Sequence, residues 1–258
     1  MDAGREREED AGAAGTRMRR IVFLLLLGNL LAGCQTDQNG VRVNLSEAVR
    51  AYRESIDRKP DRAQMERLVA RLSAEQLNDM GVIYEREGRL DRAEWAYQHS
   101  VWRNPRFAVA YVNLGNVLRA QGKTEDALFR YRQAMSADRA SFDAANNFAD
   151  LCAEKRVHLD EALGRLKPVA RSPGPHRAYG LDTLGWLYHL TGDDPQAAET
   201  LNAALDDPGA KDTGLRLAIH EHLAEVYSAM GKQPAAQAQQ AAADAIRRQG
   251  GTSGRPAG

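Results

Sequence analysis

The stretch His220-Glu221-His222 is the part of the sequence that comes nearest to a catalytic or metal-binding motif. Side chains two residues apart in a helix point to different sides, so these two imidazoles are poorly placed to hold one ion together. An active site would otherwise need a nucleophile beside a base, paired carboxylates in a cleft or a metal ion. The sequence contains no Gly-x-Ser-x-Gly, no phosphate-binding Walker loop and no His-Glu-x-x-His. We therefore predict a protein that is not an enzyme and that has neither a cofactor nor a metal ion.

Cysteine and charge content exclude several other classes of protein. Cys34 and Cys152 are the only cysteines among 258 residues, too few for a disulfide framework or a cysteine zinc site. Cys152 lies on an apolar stripe, and we expect it to be a small core residue. The chain has 35 Lys and Arg against 35 Asp and Glu, whereas proteins that bind nucleic acid have an excess of clustered cations. We expect no nucleic-acid partner.

The segment from Met18 to Cys34 has the order of a secretory signal peptide. Two arginines precede an almost wholly apolar run over residues 21–31, and small residues precede Cys34. A transmembrane helix needs about 20 apolar residues, and the polar residues after Cys34 come too early for one. The motif Leu-Ala-Gly-Cys that ends at Cys34 resembles the lipobox of bacterial lipoproteins. This resemblance implies that residues 1–33 are removed and that Cys34 carries the lipid, including palmitate.

A lipid anchor of this kind predicts a location in the bacterial cell envelope. Gln35, rather than an aspartate, follows the cysteine, and by resemblance this implies the outer membrane, with the protein facing the periplasm. We expect residues 34–44 to be a polar tether between the lipid and the folded region. Residues 1–17 lack signal character, which leaves open whether Met18 is the true start.

A period of 34 residues organises the rest of the chain. Gly81, Gly115 and Ala149 lie 34 residues apart, and Gly185 and Ala224 continue the series at intervals of 36 and 39. A second series of small residues follows twelve or thirteen residues later: Ala93, Ala127, Ala162, Ala197 and Ala236. Small residues are needed where two paired helices cross closely. The spacing therefore predicts helix pairs, with glycine-containing turns between the two helices of most pairs.

The repeat resembles the tetratricopeptide repeat. The unit from Ala108 to Ser141 fits best, with consensus residue types at Tyr111, Leu114, Gly115, Leu118, Ala127, Tyr131 and Ala134. The resemblance implies an all-α fold, an α-solenoid of about five helix-turn-helix units over residues 45–248 with a truncated unit at the N-terminal end. Residues 249–258 have little apolar content, and we expect them to be a disordered tail.

In this family the first helix of each unit lines a concave groove that binds a protein or a peptide. The positions that the family turns toward the groove include Asn78, Val112, Asn116, Arg119, Asn146, Asp150, Tyr179, Asp182, Trp186, His189, Glu221 and Glu225. Asparagines could hold the backbone of an extended peptide because an amide both donates and accepts hydrogen bonds. Tyr179 and Trp186 could be apolar anchors. The C-terminal half of this set is acidic, which favours a basic or neutral segment of the partner.

Chaperone-binding members of the family hold a C-terminal carboxylate in a clamp of basic residues and asparagines. Asn116 and Asn147 match the asparagines, but Val112, Tyr179 and Thr183 occupy the basic positions. We therefore expect no carboxylate clamp.

Together these patterns predict a lipid-anchored scaffold or adaptor that assembles an envelope complex. By resemblance, lipoproteins of this layout include pilotin-like factors in pilus or secretin assembly and adaptors in polysaccharide export. Two alternatives stay open: an envelope enzyme with a cryptic site near His220 or His222, and a purely structural spacer with an unoccupied groove.

Overall fold

A computed structural model describes residues 72–252 of the chain. Two compact units, Met1–Met80 and Gly81–Gly258, divide the chain, and residues 72–80 are the described part of the first. The predicted signal peptide, the lipidation site Cys34, the tether, the truncated unit and residues 253–258 of the tail lie outside the described residues.

Ten helices make up the secondary structure of the described residues, and no strand occurs in that part of the chain. They are α1 (Ala74–Arg86), α2 (Leu90–Arg103), α3 (Ala108–Ala120), α4 (Thr124–Ala137), α5 (Phe142–Lys155), α6 (Leu159–Ala170), α7 (Arg177–Leu190), α8 (Asp194–Leu205), α9 (Thr213–Ala229) and α10 (Gln233–Thr252). The predicted all-α architecture is confirmed. The last helix continues past residue 248, where the predicted tail begins.

Side chains just before the helices determine where several of them begin. In the first unit, the Gln76 amide nitrogen donates to Ser73 Oγ over 3.2 Å, and the Ser73 amide nitrogen donates to Gln76 Oε1 over 3.0 Å. In the second unit, Ser141 and Asp212 accept from amide groups in the first turns of α5 and α9, at 3.3 and 2.8 Å. These bonds satisfy N–H groups that have no partner inside the helix.

The turns inside the helix pairs reverse the chain with a left-handed residue. In four pairs this residue is a glycine: Gly88, Gly122, Gly192 and Gly231. The pair α5/α6 has one more residue and no glycine in its turn. There Arg156 and His158 adopt φ angles of 54° and 51°, a conformation that costs about 1–2 kcal/mol for a residue with a Cβ.

In the helix pairs, a small residue on one helix packs against a large side chain on the other. Gly115 of α3 lies against the ring of Tyr131 of α4, and Gly185 of α7 lies against Leu201 of α8. The second series of small residues is also buried, with Ala93, Ala127, Ala162 and Ala197 at 0% exposure and Ala236 at 7%. The predicted crossing positions are confirmed. The expected core position of Cys152 is confirmed as well, since its side chain is fully buried.

The second unit is a stack of helix pairs in which each helix from α2 to α9 packs against the next helix along the chain. The first helices of successive pairs also contact one another, α3 with α5, α5 with α7 and α7 with α9. The second helices make no comparable contact in the described part of the chain. The first helices therefore lie on the inner side of the stack, as the predicted solenoid requires.

Candidate functional site

The candidate site is the solvent-exposed side of α3, α5, α7 and α9, which we name the first-helix face. Because these four helices contact one another in sequence, side chains that are far apart in the chain form one continuous surface. Two groups of side chains stand out on it: one between α3 and α5, and one between α7 and α9.

The first group is centred on two asparagines. Oδ1 of Asn116 accepts hydrogen bonds from the Tyr131 hydroxyl at 2.8 Å and from Nδ2 of Asn147 at 2.9 Å. Burial raises the pKa of Tyr131 far above neutrality, so its hydroxyl remains a donor. These bonds fix the orientation of both amides. They leave Nδ2 of Asn116 as a donor and Oδ1 of Asn147 as an acceptor for a ligand.

Both asparagines line an open depression of about 490 Å³, which we name the asparagine pocket. Its wall is completed by Arg119, Ala120, Gly122, Thr124, Leu151, Glu154 and Lys155. The lining is therefore mainly polar, with backbone from the turn between α3 and α4. Such a surface suits a polar or backbone-mediated contact better than a large apolar side chain.

Arg119 closes one side of the pocket through ion pairs that join α3 to α5. Its guanidinium donates to Asp150 at 2.7 Å and to Glu154 at 2.8 Å. Burial disfavours the charged guanidinium, but the hydrogen bonds and the charges of these carboxylates outweigh it and raise the pKa of Arg119. Hydrogen bonds from Lys155 and Arg119 lower the pKa of Glu154. The charges of Arg119 and Asp150 thus partly neutralise each other, and neither is presented to a partner alone.

The second group, which we name the tryptophan cluster, consists of Asp182, Trp186, His189, His222 and Glu225. The Trp186 ring packs against His222 at 4.5 Å and 15°, and against His189 at 4.9 Å and 30°. Nδ1 of His222 lies 2.8 Å from a carboxylate oxygen of Asp182, and Nε2 of His189 lies 3.7 Å from Glu225. The indole is thus part of a stack of three rings that links α7 to α9.

The other residues that the sequence predicted for the groove lie in several different environments. In the first unit, Asn78 is 7% exposed; in the second, Val112 and Asp182 are 7% and 8% exposed, so they offer little surface to a ligand. Glu221 accepts from Arg247 of α10. Tyr179 lies in the first turn of α7 and is 40% exposed.

Asn146, the third asparagine that the sequence assigned to the groove, does not line the asparagine pocket. Its Oδ1 atom is buried and has no hydrogen-bond partner among the described residues. Its neighbour Asn147 lines the pocket instead, and the sequence had noted Asn147 only for the clamp. Asn146 and Asn147 are adjacent in α5, so their side chains point about 100° apart around the helix axis.

His222 belongs to the tryptophan cluster, whereas the sequence pointed to it only as part of the stretch His220-Glu221-His222. A usable signal was present, because His222 precedes Glu225 by three residues and therefore shares its helix face. His220, in contrast, is 8% exposed and its Nδ1 lies 2.6 Å from Gln239 of α10. The two imidazoles face different helices, and within residues 72–252 no three His, Cys, Asp or Glu side chains converge to hold a metal ion.

None of the helices between residues 72 and 252 is both long and apolar enough to cross a lipid bilayer.

Comparison with known proteins identifies the repeat and the fold. The sequence pattern of the family described as Tetratricopeptide repeat matches residues 110–145, which cover most of α3, all of α4 and the start of α5. No curated protein matches the chain. Many solved structures match the chain, and three of them follow.

PilW, a widely conserved type IV pilus biogenesis factor, has a TM-score of 0.60 at 15% identity over 68% of this chain and 78% of its own. YrrB, a repeat protein with an unusual peptide-binding site, has a TM-score of 0.56 at 15% identity over 68% and 87%. PilF of Pseudomonas aeruginosa has a TM-score of 0.55 at 18% identity over 64% and 72%. At these identities the likeness establishes a shared fold.

Proposed function

This chain is a tetratricopeptide-repeat protein, and we propose that it is a scaffold that binds a protein partner on its first-helix face. The observation that carries the proposal is the pair Asn116 and Asn147, whose amides are held in fixed orientations above the asparagine pocket. An extended peptide presents alternating carbonyl and N–H groups along its backbone. The free donor of Asn116 and the free acceptor of Asn147 complement such a backbone without regard to its side chains.

Specificity in this proposal comes from the rest of the face. The tryptophan cluster offers the half-buried Trp186 indole and the exposed carboxylate of Glu225, both of which contact His189. The carboxylate favours a basic or neutral side chain of the partner over an acidic one. Arg119 in the asparagine pocket is paired with Asp150 and Glu154. Its positive charge therefore does not repel a basic partner.

We place this scaffold in the bacterial envelope, lipid-anchored through Cys34 and facing the periplasm, because residues 18–34 have the order of a lipoprotein signal peptide. The role we propose is assembly of an envelope complex, in a pilus, a secretin or a polysaccharide export system. The fold that the chain shares with PilW, a pilus biogenesis factor, supports a pilus most directly among these.

The substitution Asn116→Asp tests the proposed site. Aspartate keeps the oxygen that accepts from Tyr131 and Asn147, and it removes the N–H donors that face the pocket. We expect capture of the partner by crosslinking in cells to fall about ten-fold, because the partner loses a hydrogen bond and its acceptor stays unpaired. The melting temperature should change little, since the internal bonds are retained.

Gln237→Glu is the matched control, because it makes the same amide-to-acid change at an exposed position of α10. This variant should capture the same proteins, in the same amounts, as the unmodified chain. If Asn116→Asp stays folded and its captured proteins are also unchanged, the first-helix face is not the binding site, and the structural spacer becomes the better description.

A further inference from the structure

The turns that join one helix pair to the next lie along a single edge of the stack, because successive helices run antiparallel. We name the part of this edge formed by the turns α2–α3, α4–α5 and α6–α7 the inter-pair edge and define it by residues 102–109, 136–143 and 167–179. The turn between α8 and α9, which exposes Asp206, Lys211 and Asp212, is not included. The edge exposes five cations: Arg103, Arg106, Arg139, Lys167 and Arg171. Two exposed carboxylates, Asp138 and Asp143, lie in the same segments. The charge of the inter-pair edge is therefore positive, although the chain as a whole has no net charge.

Four of these cations are available to an external anion. Among the described residues, Arg106, Arg139, Lys167 and Arg171 have no ion-pair partner. On the opposite edge, formed by the turns inside the pairs, two lysines are paired: Lys123 lies 2.8 Å from Glu94, and Lys155 lies 2.6 Å from Glu154. Most of the cations named on the inter-pair edge have no such carboxylate among the described residues.

Exposed apolar side chains lie on the same edge. The described residues expose four large apolar side chains, and three of them are in these segments: Trp102 at 67%, Val109 at 53% and Tyr179 at 40%. Trp102 is held in place by an edge-to-face contact with His99, with 4.9 Å between the ring centroids. This indole is fixed in orientation and two-thirds exposed. A partner that covers it removes apolar surface from water, which favours binding.

We propose that the inter-pair edge binds the surface of an anionic lipid bilayer. Tryptophan and tyrosine prefer the headgroup layer because their rings are amphipathic, and arginine and lysine beside them pair with lipid phosphates. A polyanion such as nucleic acid would use the cations but would leave Val109 uncovered. A bilayer accounts for both the charge and the apolar exposure. This surface shares no residue with the asparagine pocket, the tryptophan cluster or the lipidation site Cys34, so it stands if the peptide-binding proposal or the lipid-anchor proposal fails.

Vesicle binding by the full chain tests the proposal. All variants carry Cys34→Ala, so no acyl chain contributes. We expect tighter binding to phosphatidylcholine vesicles that contain phosphatidylglycerol than to phosphatidylcholine alone, and weaker binding as salt is added. Arg106→Gln with Arg139→Gln should lower the affinity for the anionic vesicles by about five-fold for each cation removed. A blue shift of tryptophan emission should accompany binding and should disappear in Trp102→Phe.

Lys123→Gln with Lys232→Gln is the matched control, because it removes the same charge from the turns inside pairs. Its affinity should remain close to that of the unmodified chain. Equal losses in the two double variants would overturn the proposal, because binding would then depend on net charge alone. It is also overturned if the anionic vesicles are not preferred, or if double-stranded DNA binds the edge as tightly as the vesicles at the same salt. Thermal melting of every variant verifies that it is folded.

Discussion

At the scale of a single residue, burial determines the chemistry of Cys152. Its side chain is fully buried on α5, and burial raises the pKa of the thiol from its ordinary value of 9.0 to about 12. The thiolate, which is the reactive form, is therefore almost absent near neutral pH. Cys152 is a structural residue, as the apolar stripe in the sequence predicted.

This shift predicts how stability depends on pH. The unfolded thiol loses its proton above about pH 9, whereas the folded thiol keeps it until about pH 12. The folded state thus binds more protons over this window, and the free energy of unfolding should fall as the pH rises, by at most about 1.4 kcal/mol per pH unit. Urea denaturation of the Cys34→Ala chain between pH 8 and pH 10 measures the slope.

The chain with both Cys34→Ala and Cys152→Ala is the control, and it should lose this part of the slope. A thiol reagent supplies a second measurement, since it should modify Cys152 only after unfolding. Rapid modification of the native protein at pH 8 would contradict the burial of this thiol.

At the scale of the elements, the close crossing within each pair decides how the helices pack. A Cβ added to Gly115 of α3 would lie 2.7 Å from Cδ1 of Tyr131 on α4, closer than carbon atoms approach in folded proteins. Gly115→Ala should therefore lower the free energy of unfolding by about 1–3 kcal/mol, measured by urea denaturation. Because Tyr131 also donates to Asn116, the same change should weaken partner capture.

Gly164 of α6 is the matched control for this substitution. Apart from its chain neighbours and the backbone of its own helix, no atom lies within 4 Å of a Cβ placed there, so Gly164→Ala adds helix propensity without a clash. We expect it to raise the free energy of unfolding by about 0.5–1 kcal/mol. If both substitutions change stability by the same amount, the close crossing at Gly115 is not a determinant of packing.

At the scale of the whole molecule, the proposed lipid on Cys34 and the inter-pair edge make different predictions about the membrane. An acyl anchor resists salt, whereas the attraction between cations and headgroups is screened by it. After a high-salt wash of membranes, the unmodified protein should stay in the membrane fraction and Cys34→Ala should be released. Cys152→Ala, which keeps the proposed lipidation site, should behave like the unmodified protein. Retention of Cys34→Ala after the wash would contradict anchoring through this cysteine.

The repeat spacing in the sequence predicted the helix pairs, the small residues at their crossings and the core position of Cys152. These features are local or recur every 34 residues, so helix periodicity and side-chain size are enough to infer them. The left-handed Arg156 and His158 were not predicted, because an inserted residue does not reveal which backbone angles accommodate it.

The composition of the site, in contrast, depended on tertiary structure. Asn147 lines the asparagine pocket and Asn146 does not, and His222 bonds to Asp182, which lies 40 residues earlier in the chain. A helix face specifies only the direction of a side chain. Whether that side chain meets solvent, a ligand or a neighbour is decided by the next helix pair, whose side chains come from more than 30 residues away.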